Sequence, residues 1–396
     1  MVRVCLVAPY MPPEYAGGGA QAITMASVLP SSKVKAIGIA GTHMKASKVV
    51  YALRVNGVQT LRVYRPRDCN VMEALSYVFR MYYLLFHLRR AYDVIHFVGV
   101  DFYPHVLYPL VFILRKRCVA KVALMGTDDP LTLQSSPLGC LKVSILKRMD
   151  AIVALTDEIE ESLLAVGIRK RIVRIANGVD SMRFCPATRT EAEAARNQLG
   201  LRSSNVIAYL GIVSYRKGID LLIDAVDELH SEGLDFVLIV TGPCDKNQNP
   251  LVDEELTRKL MAPERAEYVT VTGLIDDPSI VYKAATVFVL PSQREGMSNA
   301  LLEAMSSGLA SVVRTGRWLK GIGQDGLHYL SFEDGSNQSL SQRIRELLKD
   351  SELRACIGQG ARALILQKFS IGAVSEEYTR LYERLAGLGS RLSAHC

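Results

Sequence analysis

The sequence of 396 residues has no apolar run long enough to cross a membrane. No stretch reaches the ~20 consecutive apolar residues that a spanning helix needs. The first residues, MVRVCLVAPYMPP, have too short an apolar run for a signal peptide and no small-residue cleavage pattern. We therefore expect a soluble, cytoplasmic protein.

Paired cysteines and internal repeats are also missing. The eight cysteines are scattered, with no C-x-x-C pair and no nearby histidine cluster, which favours free thiols over disulfides or a zinc site. The sequence shows no repeat of solenoid period and no low-complexity tract, as is typical of an ordinary globular α/β protein. The run Gly17-Gly18-Gly19-Ala20-Gln21 lacks the G-x-G-x-x-G spacing, which argues against a nicotinamide dehydrogenase.

The length and the alternation of elements predict two doubly wound domains. Single cores stop growing at ~250 to 300 residues, and 49% of this chain is hydrophobic. Apolar, strand-like runs alternate with helical patterns on both sides of a polar linker that contains a helix and ends near Gly200. The predicted boundaries are 1–180, 181–370 and 371–396. The predicted strands are Val2 to Ala8, Val34 to Ile39, Val94 to Phe97, Cys118 to Leu124, Ala151 to Leu155 and Ile172 to Ile175, then Val206 to Leu210, Phe236 to Val240, Tyr268 to Val271, Thr286 to Leu290 and Ser311 to Val313.

The net positive charge lies in the first domain. Residues 1–180 contain 23 Lys and Arg against 13 Asp and Glu, whereas the rest of the chain contains 24 against 27. Two segments there, 76–90 and 107–117, combine aromatic residues with basic ends. Either segment could seat the protein on an anionic membrane surface, or both could be core helices with solvated basic ends.

The most informative motif is TVFVLPSQREGMSNALLEAMSSG, residues 286–308. An apolar strand ends at Pro291, a polar loop follows, and a helix begins near Asn299 and is closed by Gly308. Ligands of doubly wound sheets bind where strands end, and the start of a helix there attracts phosphate. Glu303 lies farther along the helix, where its carboxylate can accept hydrogen bonds from sugar or ribose hydroxyls.

The spacing from Glu295 to Glu303 resembles the Glu-x7-Glu donor site of retaining glycosyltransferases with the GT-B fold. Within that fold it is most similar to the glycosyl transferases group 1, which include sucrose synthase-like and mannosyltransferase-like enzymes. The other landmarks that carry the resemblance are VRVCLVAPYMPP with its three glycines, ANGVD, YLGIVSYRKGIDLLIDA, LIVTGP and the closing KFS…YTRLYERL. The resemblance implies two Rossmann-like domains that face a cleft, the first on the acceptor side and the second binding the donor. It also implies that a final helix, about Ile371 to Leu385, packs back on the first domain.

The resemblance also assigns roles to particular residues. Lys217 would bind the donor diphosphate and Glu303 the ribose. Glu295 would hold the transferred sugar together with the N–H groups of Gly296, Met297 and Ser298. These groups lie at the start of the helix that Asn299 opens. The backbone at Gly18 and Gly19 would approach the diphosphate, where glycine leaves room for contact. Because no carboxylate pair of the kind that binds metal ions accompanies the cations of this site, we expect metal-independent catalysis without a cofactor. The nucleotide sugar would be a co-substrate.

Two positions depart from the family pattern. The arginine that usually follows the strand-end glycine is replaced by Ile212, and Arg216 is the nearest substitute. A histidine that contacts the donor sugar in many relatives is replaced by Met125, for which Asp128 could substitute as a hydroxyl-binding carboxylate. We expect Glu295, Lys217 and Asp128 to form the catalytic set. His96 and His105 could reach the acceptor side, although a core role is as plausible for His96.

Together these features predict a retaining transfer of a hexose-type sugar from a nucleotide diphosphate sugar to a carbohydrate or lipid-linked acceptor. The transfer would serve polysaccharide or glycolipid biosynthesis, with no nucleic acid partner. Two alternatives remain open. One is a glycosyltransferase-like protein that binds a nucleotide or lipid without turnover, and the other is a sugar-nucleotide epimerase of the same fold.

Overall fold

The computed structural model describes residues 1–14, 16–44, 49–66, 70–100 and 102–387. The chain divides into two compact units, of which the first comprises Met1–Gly178 and the segment that begins at Ile371, and the second comprises Val179–Ser370. The first boundary therefore lies two residues before the predicted one. Among the described residues, no helix is long and apolar enough to span a membrane.

The first unit is built on an eight-stranded sheet in the order β3-β4-β2-β1-β5-β6-β7-β8. All neighbouring strands are parallel except β3 and β4. Its elements are β1 (Val2–Ala8), α1 (Gly17–Ser27), β2 (Val34–Thr42), β3 (Val50–Val55), β4 (Val58–Tyr64), α2 (Val71–His87), β5 (Val94–Val98), α3 (Tyr103–Ile113), β6 (Arg117–Val122), α4 (Pro130–Gln134), α5 (Gly139–Leu146), β7 (Ala151–Ala154), α6 (Asp157–Ala165) and β8 (Ile172–Arg174).

The sequence analysis missed the antiparallel hairpin of β3 and β4. Its two-residue turn is Asn56-Gly57, and both residues have positive φ angles, 47° and 79°. An Asn-Gly pair between alternating apolar residues is a strong hairpin signal, because the matching turn needs positive φ at both positions. The segment 107–117 also differs from the prediction. It is not one helix, since α3 ends at Ile113 and Arg117 begins β6.

The second unit has six parallel strands in the order β11-β10-β9-β12-β13-β14. The short strand β14 was not predicted. The elements are α7 (Arg189–Gln198), β9 (Val206–Leu210), α8 (Ile219–Ser231), β10 (Val237–Thr241), α9 (Glu254–Leu260), β11 (Val269–Gly273), α10 (Ser279–Ala284), β12 (Val287–Leu290), α11 (Asn299–Ser306), β13 (Ala310–Arg314), β14 (Leu330–Phe332), α12 (Asn337–Lys349) and α13 (Ser351–Leu364).

The final helix α14 (Ile371–Leu385) packs in the core of the first unit, as predicted. Tyr382 of this helix is fully buried, and its hydroxyl lies 2.7 Å from Nδ1 of His96 in β5. Burial lowers the pKa of His96 to about 3, so the imidazole is neutral at pH 7. His96 is therefore a core histidine that fixes the helix to the sheet.

The two predicted Rossmann-like α/β domains are confirmed. The six cysteines that the structure describes are free thiols, as expected: Cys5, Cys118, Cys140, Cys185, Cys244 and Cys356. Cys69 and Cys396 lie outside the described residues. The cleft that the resemblance implies between the domains stays a prediction.

Candidate functional site

A tight turn after β9 places Lys217 at the carboxyl edge of the second sheet. Residues Tyr215–Lys217 form one turn of 3-10 helix, and Gly218 follows with φ 72°. A Cβ atom on Gly218 would lie 2.1 Å from the carbonyl oxygen of Pro291, so only glycine permits this approach. The backbone N–H of Gln293 donates a hydrogen bond to the Arg216 carbonyl at 3.0 Å. The turn is thereby fixed to the loop that follows β12.

This packing brings together two of the predicted residues, Lys217 and Glu295, which are 78 positions apart in the sequence. The Lys217 Nζ and Glu295 Oε1 atoms lie 2.5 Å apart. Their side chains are only 14% and 9% exposed, so solvent screens the pair weakly. A cation and a carboxylate are therefore held side by side where two neighbouring strands end.

The helix α11 begins directly beyond this pair. Ser298 is its N-cap, and the serine hydroxyl accepts a hydrogen bond from the Leu301 N–H at 3.4 Å. Gly296, Met297 and Ser298 are buried, and Asn299 is the first helical residue. Gly308 ends the turn after the helix with φ 72°, in agreement with the closing glycine predicted from the sequence. The backbone N–H groups at such a helix start are suited to bind an anion.

Glu303 is held by a tyrosine that sequence reasoning missed. The hydroxyl of Tyr282, in α10, donates a hydrogen bond to Glu303 Oε2 at 2.8 Å. Burial raises the pKa of Glu303 to about 7, although the tyrosine hydrogen bond and the charge of Arg183 oppose the shift. The ring of Tyr282 packs edge-on against Phe184, with 5.6 Å between centroids. No sequence signal marks Tyr282, because it lies in a short helix of six residues without a recognisable motif.

Arg216 points to a different place from Lys217. Its Nη1 donates to the Arg294 carbonyl at 3.2 Å, and its side chain lines a cavity of about 410 Å³ together with Arg294, Arg314 and Asp220. Lys217 and Glu295 do not line that cavity. Ile212 is 7% exposed and belongs to the apolar interior. The suggestion that Arg216 replaces the family arginine stays a prediction.

The three glycines of the first unit open helix α1. Gly18 and Gly19 lie in its first turn, and the N-cap Ala16 provides no side-chain hydrogen bond. A Cβ atom on Gly19 would lie 1.9 Å from the carbonyl oxygen of Tyr10, whereas one on Gly18 would make an ordinary 3.4 Å contact with Val98. Close packing against the loop that follows β1 therefore accounts for Gly19, whereas Gly18 is exposed. The approach of either glycine to a diphosphate stays a prediction.

This difference predicts unequal effects of two alanine substitutions. Gly19→Ala should lower the free energy of unfolding by about 2 kcal/mol or more, because backbone atoms must move to relieve the clash. Gly18→Ala should fold with a thermal midpoint close to that of the wild type. Thermal denaturation of the two variants checks this expectation, and equal midpoints would contradict it.

Asp128 has a structural task in the loop after β6. Its carboxylate accepts hydrogen bonds from the backbone N–H groups of Ala123, at 3.1 Å, and Leu124, at 2.7 Å. The residue is 7% exposed. The neighbouring Asp129 caps α4 by accepting from the N–H groups of Leu131 and Thr132. These bonds shape the loop, and the proposed contact between Asp128 and the donor sugar stays a prediction.

Among the described residues, no group of three or more His, Cys, Asp and Glu side chains is arranged to hold a metal ion. His105 lies in α3. The expectation that it serves an acceptor stays a prediction.

Comparisons with known proteins give a family match and similar folds. Residues 204–350, within the second unit, match the family model described as Glycosyl transferases group 1. The chain is 27% identical over 246 residues to a lipopolysaccharide core biosynthesis mannosyltransferase from Rhizobium leguminosarum bv. viciae. The match covers 61% of this chain and 67% of the relative. It is 24% identical over 237 residues to a capsular polysaccharide biosynthesis glycosyltransferase from Staphylococcus aureus. That match covers 58% of this chain and 60% of the relative.

Solved structures resemble the chain over nearly its whole length. Sucrose-phosphate synthase from Thermosynechococcus elongatus has a TM-score of 0.80 and 18% identity, and the match covers 98% of this chain and 100% of that one. HepE from Anabaena, solved with UDP and glucose, has a TM-score of 0.77 and 16% identity. The match covers 96% of this chain and 99% of the HepE chain. At such identities the likeness shows the fold, and the predicted resemblance to GT-B glycosyltransferases is confirmed.

Proposed function

We propose that this chain, whose residues 204–350 match the family model of Glycosyl transferases group 1, is a retaining glycosyltransferase. It transfers a hexose-type sugar from a nucleoside diphosphate sugar to a carbohydrate or lipid-linked acceptor, in polysaccharide or glycolipid biosynthesis. The observation that carries the proposal is the largely buried pair of Lys217 and Glu295 beside the start of α11, with Glu303 about one helical turn into that helix.

Each group of this site has a part in the proposed reaction. The Lys217 ammonium neutralises the diphosphate as the bond between the sugar C1 and the phosphate oxygen breaks. Glu295 accepts hydrogen bonds from hydroxyls of the transferred sugar, and Glu303 accepts them from the ribose. The acceptor oxygen bonds to C1 on the face that the phosphate leaves. Its proton passes to the departing phosphate oxygen, so no side-chain base is needed.

The donor class is supported by the chemistry of the site and by the relatives. The site combines a cation and helix N–H groups for phosphate with two carboxylates for hydroxyls. HepE, whose fold is similar, was solved with UDP and glucose, and the two curated relatives are named as glycosyltransferases of lipopolysaccharide and capsule synthesis. We propose that neither a metal ion nor a further cofactor takes part.

A specific observation favours binding without turnover as the second candidate. Ile212 occupies the place of the usual arginine, and the only cation paired with the donor-site glutamate is Lys217, within the described part of the chain. One positive charge neutralises a diphosphate leaving group less than two do. A protein of this second kind would bind a nucleotide sugar and release no product.

The two candidates are separated by incubating the purified protein with UDP-, GDP- and ADP-sugars, with and without EDTA. We expect release of the nucleoside diphosphate from one donor class, faster with an added sugar acceptor, and a product whose anomeric proton in NMR shows the configuration of the donor. Binding without release would favour the second candidate, and an inverted product would contradict the retaining reaction. Release that stops with EDTA would contradict metal independence.

A further inference from the structure

Helix α2 presents an apolar stripe to solvent. Its inner face buries Tyr77, Met81, Leu84 and Leu85. Its opposite face exposes large apolar side chains at spacings of three or four residues, which places them in one row along the helix. They are Met72 (74% exposed), Leu75 (59%), Phe79 (72%), Tyr83 (63%) and Phe86 (49%). The sequence-based alternative of a core helix therefore describes only half of α2.

Helix α3 extends this apolar surface. The hydroxyls of Tyr77 and Tyr103 lie 2.6 Å apart, and the Tyr82 hydroxyl donates to the Val106 carbonyl at 2.7 Å. Since both contacts advance in the same direction along both helices, α2 and α3 run parallel and end at the same side. The last two residues of α3, Phe112 and Ile113, are 68% and 72% exposed. We call the exposed residues of the two helices the α2–α3 surface.

The α2–α3 surface is fringed by positive charge. The sole carboxylate in residues 71–90 is Glu73. Its Oε2 atom accepts a hydrogen bond from the backbone N–H of Asn70 at 2.9 Å, as part of the capping box of α2. Basic residues follow the ends of both helices: Arg89 and Arg90 after α2, and Arg115, Lys116 and Arg117 after α3. Arg90 and Arg115 are exposed, and within the described ranges neither forms an ion pair. Apolar side chains in water next to unpaired arginines need a partner that is both apolar and anionic.

We propose that the α2–α3 surface docks the protein on a bilayer that contains anionic lipids. The apolar stripe enters the boundary between headgroups and acyl chains, and Arg90 and Arg115 contact lipid phosphates. Both contributions are of the kind that holds amphipathic helices at membrane surfaces. A second copy of the chain fits less well, because a self-interface would bury these arginines, and the only carboxylate of α2 and α3, Glu73, is engaged in the capping box. The docking is independent of the proposed sugar transfer.

The test is co-sedimentation of the full chain with vesicles that contain no glycolipid. One set is phosphatidylcholine alone, and in the other phosphatidylglycerol replaces about a third of it. We expect binding to the anionic vesicles that weakens with added salt, and much weaker binding to the neutral ones. Leu75→Gln/Phe79→Gln should weaken binding to anionic vesicles by at least about tenfold, and Arg90→Gln/Arg115→Gln by about tenfold.

The matched control is Leu251→Gln/Met261→Gln, which changes two apolar residues of the second domain that are each 63% exposed. It should bind vesicles like the wild type. The proposal would be overturned if the wild type did not bind the anionic vesicles, or if Leu75→Gln/Phe79→Gln bound them as the wild type does. A dimer in sedimentation velocity that the same variant abolishes, without vesicle binding, would assign the surface to a second copy instead. Nucleoside diphosphate binding by the variants reports separately on the donor site.

Discussion

Lys217→Ala is expected to lower kcat/KM for the donor by about two to three orders of magnitude. This is the usual loss when one preorganised group that stabilises transition-state charge is removed. The effect should be large here because the ammonium is mostly buried and lies 2.5 Å from Glu295. Without it, Glu295 would stand alone and repel the donor diphosphate. Steady-state kinetics of nucleoside diphosphate release measure the change.

Two controls separate catalysis from folding and from simple repulsion. Lys246→Ala removes an exposed lysine of the same domain, whose 3.7 Å pair with Glu254 is more than half exposed, and should leave activity unchanged. Lys217→Ala/Glu295→Gln removes the unpaired charge and should not recover activity, since both groups contact the donor in the proposed mechanism. Recovery to within about threefold of the wild type in the double variant would show that repulsion alone caused the loss.

Glu303→Gln should weaken donor binding by about tenfold to a hundredfold, since hydrogen bonds to a charged acceptor contribute ~1.5 to 3 kcal/mol. The amide keeps the shape of the side chain and its contact with Tyr282, so folding should survive. Because the pKa of Glu303 is about 7, wild-type affinity should rise from pH 6 to pH 8 as the carboxylate ionises. Calorimetric titration of the nucleoside diphosphate should show this rise in the wild type and not in the variant.

The same substitution should change the pH dependence of stability. The folded-state pKa of about 7 lies above the ordinary value of 4.5, so between these values the folded protein holds a proton that unfolding releases. This contribution makes the wild type less stable as pH rises from 4.5 to 7, and the loss persists above 7. Glu303→Gln lacks it, so its melting temperature relative to the wild type should increase over that range.

The control for Glu303 is Glu333→Gln, which changes an exposed carboxylate of the same domain. It should leave donor affinity unchanged. A donor affinity in Glu303→Gln equal to that of the wild type at pH 8 would remove Glu303 from the binding site. A constant difference in melting temperature across the pH range would contradict the raised pKa.

The strands that carry the site were predictable because they are short, buried and rich in β-branched residues. Val206 to Leu210 was predicted with its observed bounds, and the helix after Pro291 was predicted from its polar loop and closing glycine. The hairpin of β3 and β4 was missed although its Asn56-Gly57 turn was visible. Short edge strands such as β14 give too few residues for an apolar pattern to stand out.

Contacts between distant parts of the chain were less predictable. The sequence suggested Lys217 and Glu295 separately, but their pairing depends on how closely the turn at Gly218 packs against Pro291. Tyr282 was missed for the same reason, since its hydrogen bond to Glu303 joins two different helices, α10 and α11. The close contact between Gly19 and the Tyr10 carbonyl was not predicted, because it is recognisable only in three dimensions.

The central claim is that the second domain binds a nucleoside diphosphate sugar through Lys217, Glu295 and Glu303. Its most direct test is thermal denaturation of the purified protein with UDP, GDP, ADP and their common sugar conjugates, with and without EDTA. A ligand that binds only the folded state stabilises it by about 2.7 kcal/mol at a hundred times its Kd. We predict a rise in melting temperature with one nucleotide class, unchanged by EDTA and lost in Lys217→Ala. No rise with any of them, or an equal rise in Lys217→Ala, would contradict the claim.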